Sequence, residues 1–187
     1  MQIAAVDVAY HQDRAFVGVV VMEEGELIES VSLEYPLAVA DYQPGEFALR
    51  EAPCALEALR KLQTVPGILL VDGQGRAHPK RYGLACLLGE ELQWPTVGVA
   101  KNLLVGGHQP VEASRGSSQP LTVDGETVGV VVRTREGVKP VYVSVGFRVE
   151  LEEAVKIVLS CSRYRIPDPL RAAHGLSEET RKRGLET

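Results

Sequence analysis

Asp72 stands at an abrupt change of character in the chain. The run Gly67-Ile-Leu-Leu-Val71 is almost purely apolar, and Asp72 ends it just before Gly73 and Gly75 turn the backbone sharply. Two other acids occupy costly positions. Asp7 sits between Val6 and Val8, where an unpaired charge is expensive. Glu51 heads a row with Ala55, Ala58 and Leu62 at helical spacing, so its carboxylate points along a buried edge. Lys101 closes a second short apolar run that begins at Pro95, and His78 follows the glycine turn. Carboxylate oxygens are hard ligands that suit Mg²⁺ or Mn²⁺, which take one or two carboxylates together with water and substrate phosphate. Asp7 and Asp72 are the candidate direct ligands, with Glu51 holding a second ion or its water. Such a centre activates a water and stabilises a leaving oxygen. Lys101 would stabilise the charge of a phosphorane, and His78 would steer phosphate or water. The chemistry is metal-assisted phosphodiester hydrolysis.

Each residue also has a plainer reading. Asp before Gly at a strand end serves ordinary turn chemistry, and an Asp such as Asp7 can face water at a strand end. An acid near a helix start, such as Glu51, is favoured by the dipole alone. Lys101 could be a surface charge and His78 a helix-capping surface histidine. What separates the readings is whether the elements bring these side chains together.

The hydrophobic pattern predicts those elements. Ile3–Tyr10, Ala15–Met22 and Leu27–Leu37 read as three strands joined by short turns, an antiparallel meander with Asp7 on its first strand. A helix over about Glu46–Gln63 carries Glu51 and an apolar stripe of Leu49, Ala52, Leu56 and Leu59. Gly67–Val71 is too short for a helix and reads as a strand buried on both faces by parallel pairing. A helix over Pro79–Glu91, with Pro79 at its first position, leads to the strand Pro95–Lys101. This βαβ unit sets Asp72 and Lys101 on one edge of the sheet, where open α/β sheets hold their ligand crevices. Asn102–Pro120 is the longest irregular stretch and is expected to be mobile. The turn Val123-Asp-Gly-Glu126 then opens a second β region, Thr127–Arg133 and Val138–Val149. A helix over Leu151–Tyr164, an extended turn Arg163–Arg171 and a polar C-terminal helix follow. The helix ends in Arg181-Lys-Arg183, read as a solvated tail.

Composition sets the bounds. A chain of 187 residues with 45% hydrophobic and 24% charged residues suits one globular domain, and no interdomain linker or repeat interrupts residues 1–187. A net charge of −5 argues against a broad nucleic-acid-coating surface but leaves room for a local phosphate groove. The cysteines, Cys54, Cys86 and Cys161, are odd in number, widely spaced and free of any zinc pattern. No apolar run approaches the roughly 18 residues of a membrane span. The chain opens directly on a strand rather than a secretory leader, so a cytoplasmic location is expected.

The order βββαβαβ, with Asp on the first strand, Glu on the first helix and Asp ending the fourth strand, is the layout of RNase H-like nucleases. Within that group the sequence resembles the endonuclease V family, the deoxyinosine-directed endonucleases. The similar segments are Val6-Asp-Val-Ala-Tyr10, Asp41-Tyr-Gln-Pro-Gly45 with Arg50-Glu51, and Val71-Asp-Gly-Gln-Gly-Arg-Ala-His-Pro-Lys-Arg-Tyr-Gly83. Pro95–Lys101 and Tyr164–Pro169 complete the series, which runs from about residue 3 to about 174. The resemblance implies an α/β fold: an RNase H-like mixed sheet, meander plus parallel strands, flanked by helices and extended by a C-terminal β-hairpin and helices. It implies a Mg²⁺-dependent enzyme, with Mn²⁺ able to substitute, that repairs deaminated bases. Cleavage falls one nucleotide 3′ of deoxyinosine or inosine, leaving a 3′-hydroxyl and a 5′-phosphate. DNA or RNA containing inosine would be the partner. It also implies a base flipped into a pocket near Gly73 and Gly75, and a wedge loop with Tyr42, Pro44 and Gly45 against the base stack.

The chain departs from the family pattern at three places. It lacks the helical lead before the first strand, Gln74 replaces a histidine, and Phe147 stands where a late Gly-His-Arg element has its histidine. The expectation from Phe147 is a ring beside the carboxylates, weak activity in Mg²⁺ and partial rescue by Mn²⁺. The alternative is then a catalytically weakened inosine-binding protein of the same fold. A phosphotransferase of the actin-like kinase type also begins with an Asp-bearing meander, but it needs a glycine-rich turn where this chain has Ala9-Tyr-His-Gln12.

Overall fold

The computed structural model describes residues 1–37 and 47–187, with side chains from Arg50 onward in the second span, so Tyr42, Pro44 and Gly45 lie outside the described residues. The meander consists of β1 (Gln2–His11), β2 (Arg14–Glu23) and β3 (Glu26–Pro36). Then come α1 (Phe47–Leu59), β4 (Ile68–Asp72), α2 (Leu84–Leu92) and β5 (Thr96–Ala100). The chain continues through β6 (Ser118–Val123), β7 (Glu126–Val132), β8 (Val141–Phe147), α3 (Leu151–Ser160) and α4 (Asp168–Leu185). These strands form one eight-stranded sheet in the order β3-β2-β1-β4-β5-β8-β7-β6. β1, β4 and β5 run parallel, and the other pairs run antiparallel. This is the predicted α/β mixed sheet.

Strand alternation divides the core into two layers. Ala4, Val6, Leu69 and Val71 face one way, onto Ala52, Ala55, Leu59 and Leu88 of α1 and α2. Ile3, Ala5, Ile68 and Leu70 face the other way, onto Ala154, Val158, Leu170 and Ala173 of α3 and α4. Continuing that second parity brings Asp7 and Asp72 to the α4 side. The β1–β4 register pairs Val6 with Val71, so the two aspartates stand level. β4 ends there while β1 runs on.

Several boundaries differ from the sequence reading, and β8 is shorter at both ends than Val138–Val149. The helix expected from Pro79 begins at Leu84, because Arg81 adopts a left-handed φ of 56° and the loop folds back on itself. In that fold the Gly83 N–H donates to the Gly75 carbonyl and the Ala85 N–H to the Gln74 carbonyl. The stretch expected to stay irregular as far as Pro120 already contains β6 from Ser118. A proline there is tolerated because β6 is an edge strand. The α1 and α3 helices are shorter than the periodicity suggested, ending at Leu59 and Ser160.

The basic end of the C-terminal helix is solvated, with Lys182 and Arg183 exposed, but the turns before it are not. α4 lies across β1 and β2 and buries Leu170, Ala173 and Ser177. Gly18 on β2 makes this approach possible: a Cβ there would lie 2.4 Å from the Ala173 carbonyl oxygen and 2.6 Å from the Ser177 nitrogen. Both obstacles are helix backbone, which cannot swing aside. Gly18→Ala should therefore push α4 off the sheet and destabilise the fold by about 1–3 kcal/mol, the usual cost of overpacking. Thermal unfolding of the variant checks this.

Candidate active site

The register described above makes a cavity of about 420 Å³ beyond the ends of β4 and β5. Asp7, Glu51, Asp72, Gly73 and Lys101 line it, and Leu103 and Leu104 stand at its rim. A larger hollow of about 660 Å³ lies beside α1 and α2. Its charges, Glu57, Arg60, Lys61 and Glu91, are mixed in sign and are those of an ordinary helix surface.

Asp7 is 8% exposed, and two groups from α4 meet its Oδ2. The Ser177 hydroxyl donates to it at 2.6 Å, and His174 Nδ1 lies 3.1 Å away. Lys101 Nζ donates to Asp72 Oδ2 at 2.8 Å, so the two parallel strands carry an ion pair across their adjoining ends. The charge of Asp7, level with Asp72 on the neighbouring strand, also acts on the Asp72 carboxyl. Burial drives the Asp72 carboxyl upward, Lys101 draws it down, and neighbouring Asp7 adds to the rise, for a net upward shift.

Glu51 enters from α1 and is 7% exposed. Burial pushes its carboxyl up to about 8, helped by the charges of Asp7 and Asp72, while a hydrogen bond from the Tyr10 hydroxyl and the Arg50 charge act in the other direction. Arg50 lies over the Tyr10 ring at 5.1 Å, so the two residues that flank Glu51's charge support each other.

Two carboxyl groups held level on adjacent strands, away from bulk water, are eased by a cation beside them. Among the described residues no group of three or more His, Cys, Asp or Glu side chains is poised to chelate an ion unaided. The Asp7–Asp72 pair nevertheless fits Mg²⁺, which uses one or two carboxylates and fills its octahedron with water and substrate oxygens.

The remaining sequence candidates are placed differently. His78 does not line the cavity; its Nδ1 accepts the Lys80 backbone N–H at 3.1 Å, and burial and Lys80 hold its imidazole below the usual range. Gly73 lines the cavity with a φ of 154°. Gly75 does not line it, and its N–H donates to Ser144 Oγ at 2.8 Å. A Cβ on Gly75 would lie 2.2 Å from the Val145 carbonyl oxygen, so this glycine lets the loop pack on β8.

Phe147 is also corrected. It pairs with Thr96, at the start of β5, whereas Lys101 follows the end of that strand. Its ring lies under the Arg148 guanidinium at 4.8 Å, on the opposite edge of the sheet from the carboxylates. The histidine that does reach them is His174. Sequence reasoning missed it and Ser177, although Leu170, Ala173, His174 and Ser177 share a helical stripe, and Gly18 in a valine-rich strand marks the helix's seat.

The raised Glu51 carboxyl has a thermodynamic consequence. Between about 4.5 and about 8 the folded protein holds a proton on Glu51 that the unfolded chain has released. Its stabilising contribution is thus full below pH 4.5 and lost as pH rises through about 8. In chelator, Glu51→Gln should remove this decline and raise the unfolding midpoint at pH 8 by several degrees. Thermal melts across pH check it, and a variant that melts in parallel with the parent contradicts it.

Comparison with known proteins agrees with this fold. A family model described as Endonuclease V matches residues 1–175. Endonuclease V of Nostoc punctiforme is 46% identical over 180 residues, covering 94% of this chain and 81% of that protein. The crystal structure of Endonuclease V from Streptomyces avermitilis superposes with a TM-score of 0.93 at 38% identity, covering 99% of this chain and 83% of that one. Ciona intestinalis Endonuclease V, crystallised with a 24mer DNA containing an inosine followed by a ribo-adenosine, gives a TM-score of 0.83 at 25% identity, covering 97% and 86%. The order of motifs, the sheet and the sequence identity all lead to one assignment: this chain belongs to the endonuclease V family.

Proposed function

We propose that this endonuclease hydrolyses the phosphodiester bond one nucleotide 3′ of deoxyinosine or inosine, leaving a 3′-hydroxyl and a 5′-phosphate, with Mg²⁺ as cofactor and Mn²⁺ as a substitute. The observation that carries the reading is the pair Asp7–Asp72, level on adjacent parallel strands with Lys101 Nζ 2.8 Å from Asp72. The inosine-containing DNA bound by the Ciona relative supports the choice of substrate. Residues 1–187 act as one catalytic domain, and a cytoplasmic location suits its substrate.

Asp7 and Asp72 would hold the divalent ion, with Glu51 as a further ligand or the anchor of its water. The ion supplies a lowered water pKa and neutralises charge on the phosphate. The chain's own groups do the rest. Lys101 orients Asp72 and directs its ammonium at the phosphate oxygens that gain charge during attack. Ser177 and His174 hold Asp7 in place, and a ligand carboxylate fixed by such partners loses less freedom on binding. Leu103 and Leu104 screen the cavity mouth from water. The flipped base would meet the backbone at Gly73, with Gly75 setting the loop that presents it. Tyr42, two residues before Pro44 in the sequence, would fill the gap in the base stack. His78 would act from outside the cavity, on phosphate arriving at the loop.

Incubation of the protein with a labelled deoxyinosine oligonucleotide, in Mg²⁺, in Mn²⁺ and in chelator, tests the proposal. A cut one nucleotide past the lesion in metal alone is expected, and cleavage that survives chelation would overturn it. Asp72→Ala should lower the cleavage rate by at least about 10³-fold while keeping the parental unfolding midpoint, because it removes an ion ligand and relieves a crowded carboxyl. Phe147→His should leave the Mg²⁺-supported rate within about twofold, since its effect would have to cross the sheet. A large gain in rate would place position 147 at the site after all.

A further inference from the structure

The surface beside the active site carries a charge balance opposite to that of the whole chain. Residues 133–139 and 163–171 together contain Arg133, Arg135, Lys139, Arg163, Arg165 and Arg171 but only the acids Glu136 and Asp168, in a protein of net charge −5. Asp168 is already engaged by Arg163 at 2.6 Å and faces Arg171 at 3.9 Å. Two of the cations are structural. Arg133 donates to the Glu112, Val138 and Val111 carbonyls, and Arg165 donates to those of Lys101, Lys139 and Pro140. Arg135 and Arg171 instead sit over one aromatic ring, that of Tyr164, at 5.5 and 4.0 Å.

Tyr164 is 44% exposed, an unusual state for a ring that two guanidinium groups hold in place. Its position relative to the active site is fixed from two directions. The next residue, Arg165, bonds the Lys101 carbonyl at 2.6 Å, and Arg171 lies one helical turn before His174, which is 3.1 Å from Asp7. The series Asp7, His174, Arg171, Tyr164, Arg135 therefore leads from the buried carboxylate out onto the surface.

We propose that Tyr164, clasped by Arg135 and Arg171, is a platform for the substrate strand as it leaves the active site. The ring fixes the two guanidinium groups in place, an unpaired base stacks on the outward plane of one of them, and both meet the flanking phosphates. Every base has a π-face, so the platform is indifferent to sequence, and it favours a single strand over a duplex whose bases are already stacked. This inference rests on the nuclease reading above and adds to it a second contact remote from the lesion.

The test compares two inosine-containing single strands, one of about four nucleotides confined to the cavity and one of about twenty. Tyr164→Ala should raise KM for the long strand about tenfold with kcat nearly unchanged, leave the short strand unaffected and keep the parental unfolding midpoint. Tyr164→Phe, which keeps the ring that holds both cations, should match the parent. Arg135→Gln and Arg171→Gln should each reduce the slope of log affinity against log salt by about 0.7 for the long strand. Equal losses on both strands would assign Tyr164 a structural role and overturn the inference. Loss on a long duplex alone would make the surface a duplex contact and would also overturn it. A parent protein that cleaves neither strand would overturn the nuclease reading, and this inference with it.

Discussion

The interaction on which the rest of the structure depends is the repulsion between carboxylates held nearly out of water. The β1–β4 register sets Asp7 level with Asp72, and Glu51 adds a third acid from the opposite helical layer. Such crowding is tolerated only if each charge is answered. Lys101 answers Asp72, Ser177 and His174 answer Asp7, and Glu51 retains its proton with the help of burial. The arrangement stores unfavourable electrostatic energy where a divalent cation can release it. Order elsewhere in the fold, including the close seat of α4 on Gly18, keeps that energy from dissipating by local rearrangement.

Much of this was legible in the sequence because it is written in local patterns. A short apolar run ending in an acid defined β4 and Asp72, and the helical row behind Glu51 defined its burial. The parallel βαβ unit then required Lys101 to lie near Asp72. The ordered motifs made the family recognisable along nearly the whole chain.

What the sequence concealed depends on contacts between distant segments. His174 lies on a helix that reads as polar, and nothing local links it to Asp7, 167 residues away. Assigning the late histidine to position 147 followed from matching Gly-Phe-Arg to a short pattern, and strand direction defeats it. β8 runs antiparallel to β5, so Phe147 is carried to the edge opposite Lys101. The late start of α2 was hidden for a related reason. The loop from Gly73 to Gly83 is shaped by close passage over β5 and β8, through Gly75 and Gly98, rather than by its own helix propensity. Tertiary contact overrides the favourable position of Pro79.

The anchoring of Asp7 by α4 also makes activity a measure of folding. The Ser177 bond spans 170 residues, so the first strand acquires its finished carboxylate only when a helix from the far end of the sequence has docked. A partly folded molecule can have its entire sheet paired and still hold Asp7 without its two partners. Detachment of α4, which opens one face of the core, also disarms the nuclease. For a protein that cuts genetic material, competence is thereby reserved for molecules whose most distant segments have found each other.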